Sequence, residues 1–210
     1  MGEIEPLKVL GQGFSSLAVV TANGYVFLIA RNGEPKYASA ITFLKEAGKR
    51  LPLTVPEPHF AKSHILGYRK LAGQSLESGL DGIDLESLAD DVAGFMVTLH
   101  SMTAPDDLPV VTWGDYRKLY QQRRMDTANI IRERMTTKEA DIIEAWWDRF
   151  LSDERMSAYD PVVVHGDLWY GNMLVNDQGR LSGVVDWEGV CVTDPALDFV
   201  PQIYPGEAFD

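Results

Sequence analysis

Three short apolar runs in the last quarter of the chain place the strongest constraint on its fold. They are residues 161–164, 173–175 and 181–185. Runs of this length fit buried strands and are too short for helices. Asp167 follows the first run, Asn172 immediately precedes the second, and Asp186 immediately follows the third. We therefore expect these three polar side chains to lie at strand ends and in tight loops that face a cleft.

The residue types and spacing of these side chains fit metal-assisted phosphoryl transfer. In this chemistry one carboxylate accepts or orients the proton of the attacking hydroxyl, while an amide oxygen and a second carboxylate hold the magnesium ions that bridge the phosphates. Asp167 is therefore predicted to be the catalytic base, and Asn172 and Asp186 are predicted to be Mg²⁺ ligands. An isolated acid is usually a solvated loop residue or a helix cap, so the prediction depends on the complete pattern.

Two segments carry a resemblance to a known family: residues 165–172, with the sequence HGDLWYGN, and residues 185–188, with the sequence VDWE. Both resemble the catalytic segments of kinase-like small-molecule phosphotransferases, the aminoglycoside and macrolide phosphotransferase family. In that family HGD replaces the HRD of protein kinases, and DWE stands at the position of DFG. The resemblance implies an α+β, bilobal, protein-kinase-like fold with a small antiparallel β lobe and a larger, mainly helical lobe. It also implies ATP or GTP as phosphoryl donor and a loop-orienting role for His165.

The first part of the chain is predicted to contain three strands and a glycine-rich turn. The strands are residues 7–10, 17–21 and 25–30. Asn23 and Gly24 are a hairpin signal between the second and third strands. The turn after the first strand contains residues whose backbone approaches phosphates closely or whose hydroxyls bind them, namely Gly11, Gly13, Ser15 and Ser16. The alternative is that the glycines serve turn geometry alone.

The chain is predicted to divide into two lobes near residue 72. Residues 1–72 form the nucleotide-binding lobe, and residues 73–210 form the catalytic lobe. The remaining elements of the first lobe are a helix over residues 38–51 and strands over residues 56–63 and 65–71. The resemblance makes residues 70–73 the hinge, where backbone groups near Leu71 would meet the nucleotide base.

Two amphipathic helices are predicted in the larger lobe. The apolar residues of the first lie at helical spacing, and they are Leu88, Val92, Phe95, Met96 and Leu99. The second helix begins at a capping box formed by Thr136 and Glu139, and its apolar stripe contains Ile142, Trp146 and Phe150. We expect both stripes to be part of the core.

The chain departs from the family in the small lobe. In the family the third strand carries a lysine or arginine toward the phosphates, and a glutamate in the following helix holds that cation. This sequence has Leu28 and Ala40 at those positions. Loss of both partners together avoids an unpaired buried charge. Arg31 or Lys36 is predicted to reach the phosphates instead, and the alternative is that both are surface cations.

A second departure lies at the end of the chain. Residues 194–199 resemble the D-P-A-x-D segment of the family, in which Asp198 either anchors the backbone of the catalytic loop, as the corresponding family acid does, or caps a helix. Family members generally continue with further helices that wall the acceptor pocket. Because eleven residues follow Phe199, we expect the C-terminal helices to be missing, so that the chain is a fragment or has an open acceptor site.

The charge distribution and the composition limit the kinds of partner that the protein can bind. The net charge is −12; residues 1–70 carry +4, whereas residues 71–116 carry −9 and contain no lysine or arginine. A basic first third suits a polyphosphate, while an acidic second part attracts a cationic, hydroxyl-bearing substrate and repels nucleic acid. The alternative is a merely solvated acidic surface. A single cysteine, Cys191, and the lack of an export signal or a long apolar segment predict a cytoplasmic protein without membrane attachment.

Two functions are compatible with these patterns. The first is an active kinase that transfers the terminal phosphoryl of ATP or GTP to a hydroxyl of a small cationic molecule such as an aminoglycoside or macrolide. The second is a catalytically weak nucleotide-binding or scaffold protein that kept the fold and lost the charged pair. The presence of Asp167, Asn172 and Asp186 favours the first function. The apolar residues Leu28 and Ala40 favour the second.

Overall fold

The computed structural model describes residues 8–12, 16–31, 37–62, 64–79 and 81–203. Gly13, Ser15 and Lys36, which were predicted to lie near the phosphates, fall outside these ranges. The described residues form an antiparallel sheet followed by a mainly helical region, which confirms the predicted α+β class.

Five strands form the N-terminal sheet in the order β1-β2-β3-β5-β4. They are β1 (Lys8–Gln12), β2 (Ser16–Val20), β3 (Tyr25–Ala30), β4 (Phe60–Lys62) and β5 (Ile65–Arg69). Alternate residues of β3 point into the core, where Val26, Leu28 and Ala30 are buried, as expected for a strand with one covered face. Helix α1 (Ala38–Glu46) contributes Ala40, Phe43 and Leu44 to the same core.

The β2–β3 hairpin is confirmed, but its turn is one residue longer than the predicted Asn23-Gly24 pair. Thr21 N donates to Tyr25 O at 2.8 Å, so three residues connect the paired positions. Gly24 has φ +78°, the left-handed conformation that commonly closes a three-residue hairpin loop. The hydroxyl of Thr21 also accepts from Tyr25 N at 3.0 Å and stabilises the longer turn.

Three predicted elements of the small lobe are shorter than expected, and one of them is the strand predicted over residues 65–71, which ends at Arg69. The helix predicted over residues 38–51 ends at Glu46, and a short 3-10 turn, Gly48–Arg50, follows it. Glycine disfavours helix continuation, and Pro52 disfavours the helical conformation at the residue before it. The strand predicted over residues 56–63 is limited to β4.

The larger lobe contains four helices in the described ranges. They are α2 (Leu85–His100), α3 (Trp113–Arg134), α4 (Thr137–Ser152) and α5 (Ala196–Ile203). The predicted apolar stripe of α2 is confirmed, with Leu88, Phe95, Met96 and Leu99 buried. The capping box of α4 is also confirmed, because Thr136 Oγ1 accepts from Glu139 N and the Glu139 carboxylate accepts from Thr136 N.

The prediction that the α4 stripe belongs to the core is wrong for two of its residues. Ile142 is 58% exposed and Trp146 is 48% exposed. Helix α3, which contains no buried residue, packs along α4 and is held there by Arg124, whose guanidinium bonds Glu144 (Nε to Oε2, 3.0 Å) and Asp148 (Nη1 to Oδ1, 2.8 Å). Helices α3 and α4 form a two-helix layer whose outer face stays in solvent. The helical spacing of apolar residues on α4 therefore does not mean that all of them are fully buried.

The three apolar runs near the end of the chain are strands, as predicted. They are β7 (Val162–Val164), β8 (Met173–Val175) and β9 (Leu181–Val184). Strand β7 pairs with β10 (Cys191–Thr193), while β8 lies between β9 and the short β6 (Gln74–Ser75). The loops that follow β7 and β9 carry the predicted catalytic residues. Within the described ranges, no helix has the length and apolar composition needed to cross a bilayer.

Candidate active site

The structure brings Asp167 and Asn172 into direct contact. Asn172 is buried, and its Nδ2 donates to the backbone oxygen of Asp167 at 2.9 Å and to Asp167 Oδ2 at 3.1 Å. Both partners are acceptors, so the contacting atom must be the amide nitrogen. The amide oxygen is thereby left as the atom suited to a cation. Asp167 itself is exposed, which places its carboxylate where an acceptor molecule can reach it.

Asn172 also connects this loop to the strand that precedes Asp186. Val185 N donates to the backbone oxygen of Asn172 at 2.9 Å. Asp186 comes next and adopts φ +63° and ψ +61°, a left-handed conformation that is uncommon for residues other than glycine. The chain turns there into a short 3-10 segment, Trp187–Gly189. The two predicted metal ligands thus lie on adjacent, hydrogen-bonded segments.

The side chains of Asn172 and Asp186 suit Mg²⁺ better than they suit a metal ion that is bound by protein groups alone. Magnesium is usually bound by one or two carboxylates together with substrate phosphates. In the part of the chain that the structure describes, no group of three or more histidine, cysteine, aspartate or glutamate residues could hold a metal. Asn172 and Asp186 together offer an amide oxygen and a carboxylate, which are oxygen ligands of the kind that Mg²⁺ takes.

A buried carboxylate, Asp198, anchors the catalytic loop, as predicted from the resemblance. Its Oδ2 accepts from His165 N at 3.0 Å and its Oδ1 accepts from Gly166 N at 2.9 Å. The alternative of a simple helix cap does not describe these contacts, because both oxygens bind the loop. His100, at the end of α2, adds a third partner, with Nε2 3.0 Å from Asp198 Oδ2. Sequence analysis missed His100, which lies 98 residues from its partner.

His165 orients the loop from inside the protein. It is fully buried, its Nε2 lies 3.0 Å from the backbone oxygen of Val185, and its Nδ1 lies 3.3 Å from Asp167 N. The first neighbour is an acceptor and the second a donor, so neutral imidazole protonated on Nε2 satisfies both. Burial lowers the pKa of His165, while nearby Asp198 opposes this shift. The ring therefore links the loop that carries Asp167 to the residue just before Asp186.

Gly166 allows two functional loops to cross at backbone distance. It has φ +82°, and a Cβ atom built on it would overlap the carbonyl oxygen of Gly189. A Cβ on Gly189 would in turn lie 3.2 Å from the backbone oxygen of His165. A glycine in the centre of the HGD sequence is thus required both by conformation and by space.

Two buried tyrosines, Tyr37 and Tyr68, lie near Asp186 and were missed by sequence analysis. Burial raises the pKa of Tyr37 to about 12; Ser16 opposes this shift, and the carboxylates of Glu188 and Asp186 add to it. Burial also raises the pKa of Tyr68, and Asp186 contributes in the same direction. Both phenols therefore stay protonated at neutral pH. No local pattern indicated them, because Tyr37 precedes α1 and Tyr68 lies on β5, and the two residues converge only when the helix packs on the sheet.

The positions at which the family has its charged pair are apolar and buried. Leu28 is 8% exposed and Ala40 is 1% exposed, and both belong to one hydrophobic core. Leu28 lies opposite Leu66 in the register of β3 and β5. Arg31, which directly follows β3, is exposed.

Two of the residues predicted in the glycine-rich turn lie in the flanking strands instead, because β1 and β2 extend further toward the turn than expected. Gly11 lies in β1 next to a break in its register with β2, and Ser16 begins β2 and is buried. Leu71 lies between β5 and β6 and is half-buried.

Comparisons with known proteins agree with this architecture. The model of the APH phosphotransferase enzyme family matches residues 6–208, and the chain belongs to this family. The GDP and kanamycin complex of APH(2")-IIia superposes with a TM-score of 0.80 at 21% identity, covering 96% of this chain and 73% of that one. A macrolide 2'-phosphotransferase of type I gives a TM-score of 0.63 at 24% identity, with 97% and 73% coverage. Both likenesses show the protein-kinase-like fold.

A curated relative is also similar over part of the chain. The uncharacterized protein YcbJ of Bacillus subtilis (strain 168) is 27% identical over 116 residues, which is 55% of this chain and 36% of YcbJ. The aligned segment thus spans about a third of that relative.

Proposed function

We propose that this protein transfers the terminal phosphoryl of ATP or GTP to a hydroxyl group of a small, cationic molecule such as an aminoglycoside or macrolide. The observation that carries the proposal is the contact between exposed Asp167 and buried Asn172, one hydrogen bond away from the segment that ends in Asp186. A base, an amide ligand and a carboxylate ligand are the groups that phosphoryl transfer requires. Family membership supports the same reaction class.

Each residue has a distinct task in this reaction. Asp167 accepts or orients the proton of the attacking hydroxyl, and Asn172 and Asp186 hold Mg²⁺. An ion held by these two residues would supply positive charge that offsets the charge developing on the phosphates. Asp198 and His165 keep Asp167 in place through the hydrogen bonds described above.

The nucleotide would lie between the proposed lobes, residues 1–72 and 73–210. Its phosphates are assigned to the glycine-rich turn, where Gly11, Gly13, Ser15 and Ser16 supply backbone and hydroxyl groups. Its base is assigned to the backbone near Leu71, and Arg31 contributes positive charge near the end of β3.

The charge distribution supports a cationic acceptor. Residues 71–116 carry a net charge of −9. Several of these acids are exposed at the start of α2, including Asp84, Glu86 and Asp90. Exposed like charges raise the local concentration of an oppositely charged ligand and repel polyanions such as nucleic acid. A cytoplasmic location fits the single, buried Cys191.

One observation favours a second candidate function, a nucleotide-binding or scaffold protein with little catalysis. The apolar packing of Leu28 and Ala40 leaves no cation at the position from which the family contacts the phosphates. The two candidates differ in turnover, while both bind nucleotide.

The deciding experiment is a radiolabelled phosphate-transfer screen across aminoglycosides, macrolides and amino alcohols. We expect turnover with the wild type and a loss of about 100- to 10,000-fold in Asp167→Asn, with nucleotide affinity unchanged within a few fold, because Asp167 acts on the acceptor. Asp177→Asn, a change in an exposed turn, is the control. Retained turnover in Asp167→Asn would refute the assigned role. Nucleotide binding without transfer to any acceptor would favour the second candidate.

The metal assignment has its own test. Asp186→Ala should abolish the part of nucleotide-induced thermal stabilisation that depends on Mg²⁺, because a ligand that binds only the folded state stabilises it in proportion to its affinity. An unchanged Mg²⁺ titration would remove Asp186 from the metal site.

A further inference from the structure

Trp169 stands in the loop between Asp167 and Asn172, and the backbone holds it from both sides. Its N–H donates to the backbone oxygen of Asp167 at 3.0 Å, and its own backbone oxygen accepts from Asn172 N at 2.9 Å. The residue before it, Leu168, is 0% exposed, whereas Trp169 is half-buried. The loop therefore presents a partly accessible aromatic side chain two positions after Asp167.

The indole of Trp169 rests on the backbone of Gly171. An ideal Cβ atom built on Gly171 would lie 2.3 Å from Cζ2, 2.5 Å from Cη2 and 2.7 Å from Cε2 of the indole. These similar distances place the Cβ position over the face of the ring and not at its edge. Because Gly171 does not have a positive φ, the ring's need for space is what requires a glycine there.

A second aromatic residue fixes the indole. The ring of Tyr170 meets the ring of Trp169 with centroids 4.7 Å apart and planes at 66°. Tyr170 in turn packs against the hydrophobic core. The indole is therefore held in place by Gly171 and Tyr170 before any ligand binds, and its accessible surface lies on the side away from Gly171.

The fixed ring lies close to the groups assigned to phosphoryl transfer. Gly171 is followed by Asn172, whose Nδ2 donates to Asp167 Oδ2 at 3.1 Å. Two residues of extended chain span at most about 7 Å, so the side chains of Asp167 and Trp169 begin within that distance of each other. A small molecule whose hydroxyl meets the exposed Asp167 carboxylate is therefore within reach of the indole.

The chemistry of an indole suits the cationic part of such a molecule. Among aromatic side chains, tryptophan attracts an ammonium group most strongly. A ring that is already fixed also loses little conformational freedom when a ligand binds. Asp167 and Trp169 together fit a molecule that carries a hydroxyl and a positive group close to each other.

We propose that Trp169 is a specificity-determining residue of the acceptor site, where its accessible indole surface contacts the ammonium-bearing part of the acceptor beside the hydroxyl that meets Asp167. This inference rests on the proposed function, because it adds a residue to its acceptor site. It narrows the acceptor to amino alcohols and amino sugars in which the positive group lies near the reacting hydroxyl.

The test is steady-state kinetics, with ATP or GTP and Mg²⁺, on the acceptor that the wild type uses best in the phosphate-transfer screen, with kanamycin, erythromycin and 2-aminoethanol as its cationic probes. Trp169→Leu removes the aromatic surface and should raise the KM for that acceptor about three- to tenfold, with kcat within about twofold. Trp169→Phe keeps a weaker aromatic surface and should raise the KM about twofold. Trp169→Lys should raise the KM more than Trp169→Leu does, and the excess should shrink near about 0.5 M salt, because salt screens repulsion between cations.

Phe60→Leu is the matched control. Phe60 is exposed on β4 and meets Phe27 edge to face, so this variant also loses one aromatic contact, but on the sheet of the small lobe. It should leave the KM for the acceptor unchanged. The melting temperature of every variant reports folding, and if Trp169→Leu does not fold, Trp169→Phe decides.

The outcomes separate this inference from the proposed function. Equal KM values in the wild type and the Trp169 variants would overturn the inference and leave the proposed function in place. A lower kcat with unchanged KM would limit Trp169 to holding the loop, with the same result. A KM that rises equally in Trp169→Phe and Trp169→Leu, with no salt-dependent excess in Trp169→Lys, would overturn the contact with a positive group. A wild type that transfers phosphate to no acceptor in the screen would overturn both proposals.

Discussion

The loop over residues 165–172 and the core of the small lobe differ in one respect. The loop has the residues of the family motif, whereas the core lacks the family's charged pair. In the loop, the residues that resemble the family motif are present and are held by buried polar contacts. Asp198 binds two successive backbone amides, and His165 bridges to the segment before Asp186. In the small lobe the charged pair is replaced by Leu28 and Ala40, while the surrounding sheet and helix keep their places. The comparison indicates that loop geometry is harder to exchange than a pair of charges.

The physical reason lies in the number of partners that each group has. Asp198 accepts from His165 and Gly166 and contacts His100, so a change at any one of these leaves buried polar atoms of the others without partners. An ion pair has one main partner, and replacing both members with apolar residues is often neutral. Each residue of the loop is therefore constrained by several others, whereas each member of the charged pair is constrained mainly by the other member.

The largest effect is expected where the loops cross. Gly166→Ala should lower the free energy of unfolding by about 4 kcal/mol, because it adds both a backbone clash with Gly189 and strain at φ +82°. Urea denaturation measures this change. Gly82→Ala is the control, since Gly82 also has positive φ but has open space around its Cβ position. Equal losses in the free energy of unfolding for Gly166→Ala and Gly82→Ala would mean that the close crossing of the loops adds nothing to the effect of positive φ.

Restoring the charged pair tests the other side of the comparison. Leu28→Lys alone should destabilise by about 3 kcal/mol, because it leaves a poorly solvated charge without a partner. Adding Ala40→Glu should recover part of this loss, with a coupling energy of about 1–3 kcal/mol, and should strengthen nucleotide binding or turnover. A double-mutant cycle on unfolding measures the coupling.

The control for this cycle is Ile29→Lys, which places the same charge on the opposite, half-exposed face of β3. Ile29→Lys should lower the free energy of unfolding only slightly, and adding Ala40→Glu should not change that loss. An uncoupled pair at Leu28 and Ala40 would show that the assigned register is wrong and that Arg31 deserves the cation's role.

A smaller loss is expected from weakening the anchor of the loop. Asp198→Asn should destabilise by about 2 kcal/mol, because an amide group replaces one acceptor oxygen and meets backbone donors in a buried place. Faster hydrogen exchange at the amides of His165 and Gly166 would locate the effect. Asp141→Asn, on the exposed surface of α4, is the control. Unchanged exchange at the two amides would contradict the anchoring role.

Local patterns predicted the parts of the site that are close in sequence. The strands β7, β8 and β9 follow from short apolar runs, and the polar residues at their ends follow from spacing, because Asp167, Asn172 and Asp186 all lie within a stretch of 20 residues. The prediction of an α-helical capping box at Thr136 succeeded for the same reason. These are features in which the sequence neighbours are also the physical neighbours.

Features that depend on distant segments could not be predicted. The contact between His100 and Asp198, and the convergence of Tyr37 and Tyr68 near Asp186, arise only after sheet and helices pack. Helix α3 was missed because its apolar residues are spread around the helix among many charged ones and give no clear periodic signal. Trp146 was wrongly expected in the core, since periodicity identifies a face but not what covers it.

The smallest effect should come from Arg31, and it tests whether the small lobe has kept a cation for the phosphates at a new position. Arg31 is exposed at the end of β3, so its attraction for phosphates is screened by solvent and salt. Arg31→Ala should weaken nucleotide binding by about two- to threefold at low ionic strength, and the difference should vanish near about 0.5 M salt. Lys62→Ala, an exposed cation on β4, should have no effect. A loss of tenfold or more that persists in high salt would instead make Arg31 a direct phosphate ligand, and the small lobe would then have kept its cation at a new position.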